Sequence, residues 1–382
     1  MKICHLISSY PLPTGGMQTY CYDLSSRISQ HNHEVCVLVS GNINNSTPRK
    51  EFKIVRLKPL FTIGKATFSP SLFINLFRSN FDIIHVHLPF PFGFEIAFLV
   101  AKIKKIPIVV TYHCEINHYR SSLLKDFLIK IFIKSYNVLN GFLLNFVDHI
   151  IFTTEDYSKL FNFAKSKVSI IPIGVDTNRF KVLDRAISRK YTRLPESKFI
   201  VIFVGNLDIH NYYKKGVEYL LNAVPLIRKD IPNIFVNLVG ITDIETKNII
   251  NSICKDKDIS DIVRISGNVS NKDLPRHYAA SNVLVLPSVS KLEAFGIVLI
   301  EAMASGLPIV ASNIPGVRAV VKSSKAGFLI EPKSSGSIAK SIVSVYKLKN
   351  LDKYAIETVK EKYNWNQIAI QIIDIYKNLI KT

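Results

Sequence analysis

Short apolar runs of four to seven residues recur along the whole chain, and the stretches between them carry apolar positions at helical spacing. This alternation constrains the fold more than any other feature, because it is the pattern of parallel sheets covered by helices on both faces. In the first half the strand candidates are Lys2 to Ser8, Glu34 to Ser40, Lys53 to Lys58, Asp82 to His87, Ile108 to His113, His149 to Thr153 and Val168 to Pro172. A helix over about Met17 to Gln30 follows the first of them.

The polar, basic segment 184–198 reads as a linker, and a second series of strands follows it. These are Phe199 to Val204, Ile234 to Val239, Val263 to Ser266, Val283 to Pro287, Pro308 to Ala311 and Gly327 to Ile330, with helices over Val217 to Arg228, Leu274 to Ala280 and Gly296 to Ala304 among them. At 382 residues the chain exceeds one ordinary core of roughly 150 residues, so two doubly wound α/β domains are expected, over 1–183 and 199–360. Ligands collect at the carboxyl ends of strands in open sheets, so two facing lobes would define a cleft. Ile368, Ile372, Ile373 and Tyr376 mark a C-terminal helix within 361–382 that either closes the second lobe or crosses back to the first.

Composition narrows the class. A hydrophobic fraction of 48% against 20% charged residues fits buried sheets rather than disorder. The net charge of +20 calls for an anionic partner, yet no basic run is longer than Lys104-Lys105 or Lys214-Lys215, which argues against nucleic acid. Five widely spaced cysteines without a C-x-x-C read as buried thiols of a reducing compartment, and the opening MKICHLIS runs straight into a strand pattern without a signal peptide. A cytoplasmic protein is expected. The stretch Leu123 to Val147 is interrupted by Lys125, Asp126, Lys130 and Lys134 and is too charged to span a bilayer. Two readings stay open for it: an amphipathic helix packed on its own domain with solvated lysines, or a helix lying on an anionic membrane surface.

The most specific segment is LPSVSKLEAFGIVLIEAMASGLPIVAS, from Leu286 to Ser312. A strand ends near Pro287, a loop carries Glu293, and a helix begins at about Gly296, where the amides of Phe295, Gly296 and Ile297 are first-turn donors suited to a phosphate. Glu293 stands ahead of the helix, within reach of a sugar hydroxyl. Glu301 lies inside it, and because helical side chains lean toward the N-terminus it can reach back for both hydroxyls of a ribose. The plainer alternative makes Glu293 a cap and Glu301 an ordinary helical acid, but an idle carboxylate among Ile300, Ala302 and Met303 would be costly.

This segment resembles the E-x7-E motif of the family 4 glycosyltransferases, the retaining two-domain enzymes of GT-B fold, and the resemblance extends over essentially the whole chain. It implies that Glu293 contacts the transferred sugar and Glu301 the ribose. FVGNLDIHNYYKKGVEYLLNA, from Phe203 to Ala223, resembles the donor-phosphate strand and loop of the family, with Lys215 before Gly216 in the place of the diphosphate lysine. Asn206 stands where the family commonly has a basic residue, which leaves phosphate neutralisation to Lys215 and backbone amides. The pair Gly15 and Gly16, between a strand and a helix, matches the turn that faces the donor phosphates, and lacks the G-x-G-x-x-G spacing of dinucleotide sites.

Histidines cluster near strand ends in FDIIHVHLPFP and PIVVTYHCE. His85 reads as a satisfied core residue. His113 ends its strand and matches the family histidine that bonds the donor sugar. His87 and Glu115 are acceptor-side candidates. IPIGVDTNRF, closing the first lobe, receives no chemistry. The lone D-x-D, Asp256-Lys257-Asp258, lies in a polar stretch, so no metal is expected.

The resemblance implies transfer of a hexosyl unit from a UDP- or GDP-sugar to an acceptor hydroxyl, with the departing diphosphate helping to deprotonate the acceptor. The positive charge and the Leu123 to Val147 stretch suggest a lipid-linked glycan acceptor, such as a polyprenyl-linked one, at the inner membrane face. The competing readings are a nucleotide-sugar-binding protein without transfer and, further off, a nucleic-acid binder.

Overall fold

The structure is a computed structural model that describes residues 1–8, 15–40, 51–63, 66–114, 123–164, 167–290 and 293–381, without the side chains at 63, 123–129 and 132. The chain divides into two compact units, residues 1–173 with 365–382, and residues 174–364.

In the first unit β1 (Lys2–Ile7), α1 (Gly16–Gln30), β2 (Glu34–Ser40) and β3 (Lys53–Leu57) precede a small antiparallel hairpin, β4 (Phe61–Ile63) and β5 (Ala66–Phe68). Then come α2 (Ser71–Arg78), β6 (Ile83–Leu88), α3 (Gly93–Lys104), β7 (Ile108–Tyr112), α4 (Leu123–Leu144), β8 (His149–Phe152), α5 (Glu155–Ser158) and β9 (Val168–Ile170). Seven strands pair in the parallel order β3-β2-β1-β6-β7-β8-β9. The central strands β6 and β7 are buried along their whole length, as all-parallel strands covered on both faces must be.

The second unit opens with α6 (Arg185–Thr192), β10 (Phe199–Val204), α7 (Ile209–Lys214), α8 (Val217–Asp230), β11 (Ile234–Val239), α9 (Ile244–Asp256) and β12 (Val263–Gly267). It continues through α10 (Leu274–Ala279), β13 (Val283–Leu286), α11 (Ile297–Ala304), β14 (Ile309–Ser312), α12 (Val317–Lys322), β15 (Gly327–Ile330), α13 (Ser335–Lys347) and α14 (Leu351–Lys362). Its parallel order is β12-β11-β10-β13-β14-β15. In both sheets the order reverses beside the first strand, the arrangement of a doubly wound fold.

One feature differs from the sequence-based expectation, and one alternative left open by the sequence is decided. Segment 184–198 is not a free linker. Asp184 caps α6 through the Ile187 amide, and the buried Arg189 donates from Nε to the Ala280 carbonyl at 3.0 Å and from Nη2 to Asn282 Oδ1 at 2.9 Å. A polar stretch is thus held by hydrogen bonds that composition does not reveal. The last helix, α15 (Trp365–Lys381), belongs to the first unit, where Trp365 lies against Tyr20 and the Tyr376 hydroxyl is 2.5 Å from His85 Nδ1.

Helix α4 buries Tyr136, Asn140 and Leu144, whereas Ile131, Val138, Leu139 and Phe142 are exposed beside Lys130 and Lys134. Its outer face is therefore apolar between lysines and not simply a solvated charged surface. Among the described residues no helix is long and apolar enough to cross a membrane.

Candidate functional site

In the second unit the loop between β13 and α11 is held from two sides by backbone contacts that only glycine allows. Gly216, the N-cap of α8, has φ +64°, and a Cβ there would stand 2.2 Å from the Pro287 carbonyl oxygen. Gly316 has φ +85°, and its Cβ would stand 2.3 Å from the Ala294 carbonyl oxygen. The Val289 amide also donates to the Lys214 carbonyl at 2.9 Å. The loop bearing Glu293 is thereby fastened to the turn bearing Lys215.

The consequence is a defined pair. Lys215 Nζ lies 2.9 Å from Glu293 Oε2, with the two side chains 20% and 24% exposed. The lysine stem crosses Gly205, whose Cβ would meet Lys215 Cδ at 3.0 Å, so the glycine after β10 leaves the lysine its path. Asn206 is exposed, and its Oδ1 accepts from the Asp208 amide at 3.2 Å.

Helix α11 begins at Ile297, with Gly296 as N-cap at φ +78° and no side-chain cap. Phe295 is buried against Tyr363, with ring centroids 5.9 Å apart. Among the described residues no side chain caps the first turn of α11, whose amides have no intrahelical acceptor.

Further along α11, Glu301 accepts a hydrogen bond from the Tyr278 hydroxyl at 2.8 Å. Burial pushes the Glu301 carboxyl above the usual range, against the lowering effects of the Tyr278 bond and the Arg179 charge. Sequence reasoning found neither partner. Arg179 stacks on Phe180 at 4.5 Å and Phe180 meets Tyr278 edge-on at 5.8 Å, so IPIGVDTNRF supplies the wall and charge beside Glu301.

In the first unit the sheet brings histidines together. His5 pairs in register with His85, and His87 with Thr111, so their side chains share one face with His113. His113 Nε2 lies 3.2 Å from His87 Nδ1, and His87 Nε2 lies 2.9 Å from His5 Nδ1. His85 engages Tyr376 and Thr111 with its two nitrogens, as expected of a satisfied core residue. Burial lowers all four, His5 and His113 to about 3, and keeps them neutral.

His87 is not an acceptor contact. It is fully buried and both ring nitrogens are taken. Glu115 lies outside the described residues. Gly16 begins α1 and Gly15 precedes it in extended conformation, its carbonyl accepting from the Thr19 amide at 3.1 Å.

Two groups bear on metal binding. His5, His85 and His87 offer ligand atoms within 4.8 Å of one another, but most of those nitrogens already serve the hydrogen bonds above. Asp258 is exposed at the end of α9 and lies 3.8 Å from Arg228.

A model described as Glycosyl transferases group 1 matches residues 184–362, and one described as Glycosyltransferase Family 4 matches residues 14–179. The chain belongs to the group 1 glycosyltransferases of family 4. This glycosyltransferase is 26% identical to an uncharacterized glycosyltransferase of Methanocaldococcus jannaschii, over 99% of the chain and 98% of the relative. It is 24% identical to the phosphatidyl-myo-inositol mannosyltransferase of Mycobacterium leprae, over 97% of the chain and 95% of the relative. The solved structure of Anabaena Alr3699/HepE in complex with UDP superposes with a TM-score of 0.79 at 18% identity, over 99% of the chain and 100% of that structure. The fold is GT-B.

Proposed function

We propose that this glycosyltransferase moves a hexosyl group from a UDP- or GDP-sugar to a hydroxyl of a glycan acceptor, with retention of configuration and without a metal ion. The observation that carries the reading is the Lys215–Glu293 pair at 2.9 Å, in the same unit as an uncapped α11 and the Glu301 carboxylate. Lys215 and the first turn of α11 take the diphosphate, Glu293 takes the sugar hydroxyls and Glu301 takes the ribose. The bond from the anomeric carbon to the diphosphate oxygen breaks while a bond to the acceptor oxygen forms, and the acceptor proton passes to the departing diphosphate. The protein positions and stabilises charge. His113 is assigned the donor sugar by the family resemblance.

A lipid-linked acceptor fits the name of the mycobacterial relative, which acts on phosphatidyl-myo-inositol, and the lysine-flanked apolar face of α4. The same reading puts the protein in the cytoplasm, peripheral on the inner membrane face. A thermal-shift screen of UDP- and GDP-sugars followed by transfer assays tests the donor. Donor binding with no turnover on any acceptor would favour a non-catalytic binding protein instead. Co-sedimentation with anionic liposomes at low salt tests the membrane, and failure to sediment removes that part.

A further inference from the structure

His5, on β1, has no catalytic motif around it, yet it ends a hydrogen-bonded series that leads to His113 at the carboxyl end of β7. The series is confined. Tyr20 sets its ring edge-on to His87 at 5.6 Å and to His113 at 4.9 Å, and the His113 backbone N–H donates to the Leu88 carbonyl at 3.1 Å. His85, 4.9 Å from His5 ring to ring, is engaged with Thr111 and Tyr376 and stays outside the series.

Three neutral imidazoles carry one N–H each, so the two bonds must point the same way. In one direction His113 Nε2–H donates to His87, His87 donates to His5, and the leftover N–H is that of His5 Nε2. That atom is fully buried and has no hydrogen-bond partner among the described residues. In the other direction His5 Nδ1–H donates to His87 Nε2, His87 Nδ1–H donates to His113 Nε2, and only a lone pair is left unused inside. An orphaned buried N–H is rarer than an unused acceptor, which selects the second direction.

We infer that His5 and His87 are positioning residues that hold His113 in its Nδ1–H tautomer, so that His113 offers a hydrogen-bond donor at the end of β7. His113 Nδ1 itself has no partner among the described residues and is not among the fully buried atoms that lack one. A group meeting it must present a lone pair, as a sugar hydroxyl or carbonyl oxygen does, and an ammonium is refused. The tautomer stands on the geometry alone, whereas its use in transfer rests on the proposed function of His113.

The full chain with 15N-labelled histidine, read by long-range proton–nitrogen correlation at neutral pH, tests the assignment, with H113N identifying the His113 signals. The expected spectrum has a protonated Nδ1 and a pyridine-type Nε2 for His113. An Nε2–H tautomer overturns the inference, whatever the activity. The His5→Asn variant keeps a donor where Nδ1 was, and His5→Leu removes it. His5→Leu is expected to release His113 into mixed tautomers and to lower kcat about tenfold or more, as loss of an outer partner of an orienting histidine does, with KM for the donor little changed. His5→Asn restores both. Identical His113 spectra in the Asn and Leu variants would also overturn it. Should His5→Leu fail to fold, the wild-type spectrum decides. Absence of transfer in the wild type with the Nδ1–H tautomer present removes the proposed function and leaves the series intact.

Discussion

Lys215 and Glu293 are 78 residues apart in sequence and 2.9 Å apart in space, joined across two loops that Gly216 and Gly316 allow to touch. The two should separate in kinetics. Glu293→Ala frees the lysine for the diphosphate, so donor affinity stays within about threefold while kcat falls roughly a hundredfold, the loss expected for a group acting on the reacting sugar. Lys215→Ala should weaken both donor affinity and turnover. Calorimetric donor titration beside initial-rate assays distinguishes the two patterns, and near-normal turnover of Glu293→Ala would sink the assignment.

Gly216→Ala should act on the same pair from the backbone. A Cβ placed 2.2 Å from the Pro287 carbonyl oxygen forces the loops apart, on top of the strain of a left-handed residue, and costs about 1–3 kcal/mol. The expected result is a lower Tm together with weakened donor binding. A normal Tm and affinity would show that the loops do not depend on that contact.

Glu301 sits above the usual carboxylate range because burial outweighs the Tyr278 bond and the Arg179 charge. Tyr278→Phe removes one of the lowering influences, so the Glu301 carboxyl rises further and is less ionised at mildly acidic pH. If the ionised form binds ribose, the acid limb of nucleotide binding should move to higher pH in this variant. Glu301→Gln should lose about tenfold in UDP or GDP affinity, the worth of a hydrogen bond to a charged acceptor, and its acid limb should disappear. Titrations from pH 5 to 8 read both effects.

How much of this was legible beforehand depends on what each residue does. Glu34–Ser40, Phe199–Val204, Ile234–Val239 and Gly327–Ile330 carry the limits expected from sequence, since parallel strands buried on both faces read as unbroken apolar runs. The hairpin β4–β5 was missed because three-residue strands leave no period to detect. Glu301 was recognisable as a buried acid in a motif, but its partners Tyr278 and Arg179 are fixed by the fold and not by local spacing. His5 was passed over as one polar residue in an apolar strand, because strand pairing alone aligns it with His85.

The buried histidines should make stability depend on pH. His5 and His113 titrate near 3 when folded and near 6.5 when unfolded, so the unfolded chain binds more protons between those values. Their contribution is complete above about pH 6.5 and is lost as pH falls toward 3, at about 1.4 kcal/mol per pH unit for each histidine. Urea midpoints measured between pH 8 and 5 should fall steadily below pH 6.5, and the slope should be shallower in His5→Asn. A flat profile would mean that the imidazoles are not buried in solution.

Helix α15 should report on the first unit. Tyr376→Phe deletes the hydroxyl that meets His85 and is expected to cost about 1 kcal/mol, whereas Trp365→Ala opens a cavity worth about 3–5 kcal/mol. Calorimetry should show both losses in the transition of the first unit.

That last helix also fixes an order of events during synthesis. Residues 1–173 leave the ribosome long before Trp365, Ile368, Ile372 and Tyr376, which complete their core, so the first unit must wait with one face uncovered while 174–364 are made and can fold. The part translated first is therefore the part finished last, and a nascent chain stalled before Trp365 would be the form that needs a chaperone.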